Sequence, residues 1–287
     1  MLLQFIINGL ITGLLYSLLA IGFALVYNTT HIFHIAAAGI YVFAAYMFWW
    51  MDSFMPLWIA AIVATLFSMG LSYLIDWIVY RPLKRKKASN NIALVASIGI
   101  MTVIVNLLTL CFGNQTKSLS TSFSKVFDLG AFSISQPQMI QFICASFILV
   151  AFVFYFTRSQ MGLRLKAISE DEALFSSMGY DGMRIRTFAL VLSGLFIAAA
   201  SCLNAIEVGM DVNMGMNVLI TAIVAMIIGG TGKTNACILG GLTLGLLQSL
   251  VLIHFSTSWQ SAITFIVLLL FLFIRPQGIA GYKQRTV

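Results

Sequence analysis

The sequence predicts an all-α integral membrane protein with about nine transmembrane segments, and three observations carry that prediction. The first is composition. Of the 287 residues 60% are hydrophobic and 9% charged, with a mean hydropathy of +0.99, whereas a soluble domain carries roughly 25% charged residues. The second is segment length. Continuous apolar runs of about 20 residues recur, enough to cross a hydrocarbon core as helices, while a barrel would show alternation over about ten residues. The third is the placement of basic residues on one side of the predicted segments.

The segments fall at 3–27, 34–54, 57–80, 91–113, 138–157, 187–207, 213–230, 235–255 and 258–275. The stretches 28–39 and 227–235 are candidates for broken or re-entrant segments, so the count ranges from roughly eight to ten. The start, MLLQFIINGL, lacks a positive n-region and runs on past the length of a signal h-region, so it reads as the first span. Only 114–137 and 158–186 are long connections, and neither can bury a core. Residues 1–287 therefore read as one membrane domain without a soluble catalytic domain.

Net charge is +7. Fourteen of the sixteen basic residues lie in RPLKRKK (Arg81, Lys84, Arg85, Lys86, Lys87), in the 158–186 loop (Arg158, Arg164, Lys166, Arg184, Arg186), at Lys233, or in the tail (Arg275, Lys283, Arg285). The other side keeps Lys117 and Lys125. This is the positive-inside pattern, which puts the N-terminus outside and the C-terminus in the cytoplasm. It accounts for the charge without nucleic acid.

Motifs for catalysis are weak. IIGGTGKT (227–234) ends like a P-loop, but Ile227 stands where the first glycine belongs, and both flanks are apolar at membrane-helix length. Cys111, Cys144, Cys202 and Cys237 show no metal spacing and read as packing residues. Ionisable groups within the spans are few. Asp76 sits near Arg81 at an interface, and Glu207 and Asp211 flank an external turn. Asn106 suits an interhelical hydrogen bond or a place on a transport path. His31 and His34 share a helix face at i, i+3, with no third metal ligand nearby, which leaves polar lining of a path or interfacial packing. His254 reads as interfacial. No metal site is expected.

The most informative loop is SQMGLRLKAISEDEALFSSMGYDGMRIRTF (159–188). Ser169 and Glu172 fit a capping box. Glu170, Asp171 and Glu172 suit the positive end of a helix dipole. Ala173 continues the helix, Leu174, Phe175 and Met178 form an apolar ridge, and Gly179 suits the C′ position. The spacing predicts a helix of about nine residues, too short to stand alone, presented to a cytoplasmic partner. Its acidic first turn disfavours anionic lipid headgroups.

Five stretches in order carry a resemblance over almost the whole chain: NGLITGLLYSLLAIGFALVYNTT, YRPLKRKKASNNIALVASIGI, RSQMGLRLKAISEDEALFSSMGYD, IVAMIIGGTGKTNACILGGLTLG and FIVLLLFLFIRPQGIAG. The chain resembles the permeases of branched-chain amino acid ABC importers, the Liv-type family, on its LivH-like branch. The resemblance implies a bacterial inner-membrane permease with no cofactor of its own. Its implied partners are a second, LivM-like permease, two cytoplasmic ATP-binding subunits that hold ATP and Mg, and an external solute-binding protein. Residues 169–179 would be the ATPase-coupling helix, with Glu170 to Glu172 as its polar contacts and Leu174, Phe175 and Met178 as its apolar ones. The path would run by His31, His34, Gly39, Tyr41 and Asn106. In this setting GGTGKT is a glycine turn: Gly229, Gly230 and Gly232 permit positive φ. Gly241 with Gly245 and Gly9 with Gly13 form G-x-x-x-G contacts. GLITGLLYSL and GLTLGLLQSL align in segments of opposite direction, by inverted repetition or by chance in leucine-rich text. Where the family has N-x-A-H-G, this chain has His34-Ile35-Ala36-Ala37-Ala38, which leaves open an amino acid or a related small polar solute. The rivals are an ion-coupled carrier acting alone, which needs intramembrane ionisable groups where few occur, and an intramembrane enzyme, for which the sequence offers no catalytic constellation.

Overall fold

A computed structural model describes residues 2–119, 125–128, 132–230, 232–253, 255–256, 259–275 and 277–280. His254, Lys283 and Arg285 lie outside these. Nine apolar helices follow the predicted segments in order: α1 (Leu2–Thr30), α2 (Ala36–Asp52), α3 (Leu57–Ile75), α5 (Asn90–Phe112), α6 (Gln136–Arg158), α9 (Gly182–Val208), α10 (Met214–Gly229), α11 (Ala236–Val251) and α12 (Gln260–Ile274). Among the described residues five stretches are long and apolar enough to cross a membrane: α1, the α3-containing stretch Leu57–Arg85, α5, α6 and α9. The remaining four have 17, 16, 16 and 15 residues.

Three expectations need correction. The chain is not purely α-helical, because β1 (Val126–Asp128) and β2 (Ser133–Ser135) pair antiparallel. RPLKRKK is not all loop. α3 continues through a π turn, Asp76–Tyr80, into α4 (Arg81–Arg85), and the Arg81 N–H reaches Asp76 O. The π turn loosens the ladder just where Pro82 removes a donor. The 158–186 loop holds two helices, α7 (Gln160–Glu170) and α8 (Glu172–Ser177).

The alignment of the α1 and α11 glycine stretches has a physical reason, since these helices pack antiparallel on each other in the most extensive helix contact. A Cβ on Gly9 would come 2.8 Å from Ser249 Cβ, one on Gly13 3.0 Å from Leu242 Cα, and one on Gly245 would fall on the Gly13 backbone. Ser17 Oγ then donates to Ile238 O, and Ser249 Oγ to Phe5 O. Helices in lipid associate through such close contact, because no hydrophobic force separates them from the tails.

The repeated unit is a different pair. α1 and α9 are both long, and each is followed by a five-residue linker, 31–35 or 209–213, before a short helix. Each linker opens on a positive φ, 54° at His31 and 82° at Gly209. A third helix follows in each half, and it packs on the long helix of the other half: α11 on α1, and α3 on α9, where Gly194 meets Ser68 and Ser72. The long helices are antiparallel, so α1–α2–α3 and α9–α10–α11 form an inverted repeat. His34, Met210 and Val212 in the linkers are buried, so α2 and α10 begin inside the body.

The basic helix ends meet at one end of the molecule. There Arg81 pairs with Asp76, Lys84 and Arg186 pair with Glu172, and Gly232 N donates to Asn28 Oδ1. The opposite end holds Lys117, bridged to Met210 and lying 5.2 Å from the Trp49 ring, and the hairpin, tied to Gln4 at Ser133. Gly245→Leu is expected to cost about 1–3 kcal/mol or more by forcing α1 off α11. Gly99→Ala, where a Cβ meets nothing within 4 Å, should be neutral or stabilise by up to about 1 kcal/mol. Thermal unfolding in detergent checks both.

Candidate translocation cavity and coupling surface

A cavity of ≈ 460 Å³ lies between α1, α2, α9, α10, α11 and α12. Its polar lining comes from Thr12, Tyr16, Tyr41, Asn204, Glu207, Asn217, Thr221, Gln248, Gln260, Ser261 and Thr264, with no lysine, arginine or histidine among the described residues that line it. Gln248 is the hub. Its Oε1 accepts from Tyr16 OH at 2.8 Å and from Gln260 Nε2 at 3.2 Å, and its Nε2 donates to Thr264 Oγ1 at 2.6 Å. A buried amide with both ends engaged fixes the facing walls, since an unmade hydrogen bond there is costly. Glu207, accepting from Gln138 Nε2 at 2.9 Å, stands at the end of α9 remote from Arg81, Lys84 and Arg186. The cavity can therefore hold a polar solute by amide and hydroxyl contacts, with one carboxylate near its mouth.

The predicted path residues are not brought together. Tyr41 lines the cavity. His34 does not; it is buried, its Nδ1 is 2.8 Å from Tyr80 OH, and Tyr80 donates to Ser97. His31 is exposed in the linker at the basic end and lines a separate cleft of ≈ 250 Å³ with Lys84, Glu172 and Arg186. Gly39 packs on α5, where a Cβ would come 3.2 Å from Ile104 Cδ1. Asn106 points outward from α5 and donates to Thr102 O within its own helix. A polar side chain in a span predicts some hydrogen bond but not which way it points. Gln248, Gln260, Asn204 and Asn217 were missed, although uncharged amides in apolar runs were the available signal.

Asp76 is buried and closed. Its Oδ2 accepts from Arg81 Nε at 2.9 Å and from Thr187 Oγ1 at 2.5 Å. Among the described residues, no three His, Cys, Asp or Glu side chains gather as metal ligands.

At the basic end the predicted single helix is divided. Ser159 caps α7, its Oγ accepting from Met161 N, so helix begins at Gln160, well before Ser169. Ser169 thus falls in the last turn and donates to Lys166 O; it is not a cap. Asp171 is extended, and its Oδ1 accepts from Ala173 N and Leu174 N, making it the N-cap of α8. Glu172 does not complete a capping box, because its carboxylate is engaged by Lys84 and Arg186. The apolar ridge also splits. Phe175 turns inward and stacks on Tyr180, 5.2 Å between centroids, while Ala173, Leu174 and Met178 face out. Gly179 follows the C-cap with φ 83°. In the glycine turn Gly230 and Gly232 take φ of 117° and 99°, and Gly229 lies against Ala236 and Cys237 at the α10–α11 hairpin.

Long apolar helices, two short helices that begin inside the body after buried linkers, and a polar cavity at the repeat interface define a multi-pass membrane transport protein. Comparison with known proteins gives the family. Residues 5–272 match the family described as branched-chain amino acid transport system / permease component, and the chain belongs to it. It is 27% identical to the high-affinity branched-chain amino acid transport system permease protein BraD of Pseudomonas aeruginosa, over 98% of this chain and 96% of that one. It is also 27% identical to LivH of Escherichia coli strain K12, with the same coverage. A probable LivH of Methanocaldococcus jannaschii is 23% identical over 98% of this chain and 93% of that one. In the solved structure of PsaBC from Streptococcus pneumoniae in complex with Fab, one chain shares the fold, with a TM-score of 0.52 at 14% identity over 94% of this chain and 91% of that one.

Gln248→Leu removes the acceptor of the Tyr16 hydroxyl and the donor to Thr264, leaving Tyr16 only its bond from Gln260 Nε2 and Thr264 only its bond to Gln260 O. It is expected to cost about 1–3 kcal/mol, read as a lower unfolding temperature in detergent, whereas Thr102→Val on the outward face of α5 should leave that temperature nearly unchanged.

Proposed function

We propose that the chain is the permease subunit of a bacterial inner-membrane ABC importer for an amino acid or a related small polar solute. Residues 1–287 act as one permease domain crossing the membrane nine times, counting the short helices, with the N-terminus outside and the basic end in the cytoplasm. Family membership and the names of the relatives support the system. The observation that carries the mechanism is α8, a short helix anchored inward by Phe175 while Leu174 and Met178 project outward from the basic end.

In this reading two cytoplasmic ATP-binding subunits hold ATP and Mg, and this chain carries no cofactor. One of them seats α8, with Leu174 and Met178 as apolar contacts and Glu170 beside them. A second, LivM-like permease covers the outward faces; Thr102 and Asn106, polar groups on the exposed side of α5 next to Gly99, support a protein neighbour there over lipid. An external solute-binding protein delivers the solute at the hairpin and the 209–213 linker, beside the cavity mouth. An ion-coupled carrier is disfavoured, because Asp76 is spent in a closed ion pair.

The test is co-purification from cells expressing the whole gene cluster. The unaltered chain should bring down two ATP-binding subunits. Leu174→Asp with Met178→Asp should reduce that recovery at least about tenfold, as loss of an apolar anchor does at an interface. Recovery of the chain alone in both cases contradicts the proposal.

A further inference from the structure

The Glu172 carboxylate joins three elements. Its Oε1 lies 2.5 Å from Lys84 Nζ on α4 and its Oε2 2.5 Å from Arg186 Nη2 on α9, while its backbone opens α8. One residue further along α9, Thr187 and Arg81 share Asp76, and Arg81 Nη2 also donates to Thr187 Oγ1 at 2.9 Å. Two carboxylates and three cations thus bind the end of α3–α4 and the knob α8 to the first turns of α9. Arg186 is buried, at 7% exposure, and its Nε has no hydrogen-bond partner, so its charge is balanced chiefly through Glu172.

α9 is unbroken from Gly182 to Val208. Between Arg186 and Glu207 it spans about 32 Å at 1.5 Å per residue. Its far end supplies Asn204 and Glu207 to the cavity wall. A single rigid helix therefore links the α8 anchor to the polar cavity, the kind of contiguous element that can carry coupling.

We infer that Glu172 is a positioning residue for energy coupling: through Arg186 it locks α8 to α9, and so ties movement of α8 to the cavity wall. It touches neither solute nor nucleotide. The inference rests on the reading of α8 as the ATPase-docking helix. Neutralising Glu172 leaves Lys84 and Arg186 facing each other across the base of α8, so α8 can still dock while α9 no longer follows it.

The test uses the complete importer assembly in proteoliposomes, with Cys111, Cys144, Cys202 and Cys237 replaced by serine and a reporter Val218→Cys in the cavity wall. The probes are a membrane-impermeant maleimide and ATP with vanadate. In the otherwise unaltered chain, trapping with vanadate should change the labelling rate about fivefold or more, a typical coupling factor. With Glu172→Gln that change should fall within about twofold while ATP hydrolysis persists. The neutral pair Glu172→Gln with Arg186→Gln removes the stranded buried charge, so it should assemble fully and remain uncoupled. The exchange Glu172→Arg with Arg186→Glu, made with Lys84→Gln, should restore the response. A full response in assembled Glu172→Gln, or its return in the neutral pair, overturns the inference, because a merely structural role predicts that return. If Glu172→Gln fails to assemble, the neutral pair decides. If the unaltered chain recovers no ATP-binding subunit, the underlying ATPase reading has failed, and that result is distinct from either outcome above.

Discussion

The structure depends on the contact of α1 with α11. Inside a bilayer, apolar side chains gain nothing by leaving lipid for protein, so helices stay together only where their backbones can come close. Gly9 and Gly13 on one helix and Gly241 and Gly245 on the other leave that space, with serines at both ends to bond across it. This seam fixes α1 in the centre of the body. From there α1 crosses α9 at Gly22, against Ser193 and Ile197, and presents Tyr16 to Gln248. Seam and cavity share the same two helices, so widening one opens the other.

Around this pair the inverted repeat supplies two interrupted helices. Their linkers begin at the two positions, His31 and Gly209, where the chain takes a left-handed turn back into the body. Non-helical backbone inside the body is tolerable only when protein covers it, and His34, Met210 and Val212 are buried accordingly. The short helices that follow leave room near the repeat axis, and the amides of Asn204, Asn217, Gln248 and Gln260 line it. In the proposed function this room receives the solute, and the basic end, with α7 and α8, receives the force.

Much of the fold was legible, for a simple reason. A span announces itself by length and hydropathy, and lipid offers few alternatives to a helix, so the apolar helices fall on the predicted segments, five of the described stretches being long enough to cross a membrane. Less of the site was legible, because orientation around a helix axis depends on neighbours that the sequence does not identify. Asn106 and Gln248 look alike as polar residues in apolar runs, yet one faces outward and the other holds the cavity together. The α7–α8 break shows a second limit. Ser169 is a sound cap by local rules, but Ser159 had already started the helix, and Asp171 was the next residue free to cap. By local rules Glu172 is a capping partner, but Lys84 and Arg186, 88 and 14 residues away along the chain, have the stronger claim on its charge.

The most direct measurement is an electron cryomicroscopy structure of the complete assembly in lipid nanodiscs. The account predicts that α8 lies in a groove of an ATP-binding subunit, with Leu174 and Met178 within about 4 Å of apolar side chains there. It also predicts that the cavity around Gln248 opens away from that subunit. A structure with α8 against lipid headgroups, or with the Gln248 cavity filled by side chains and remote from any path through the complex, would contradict it.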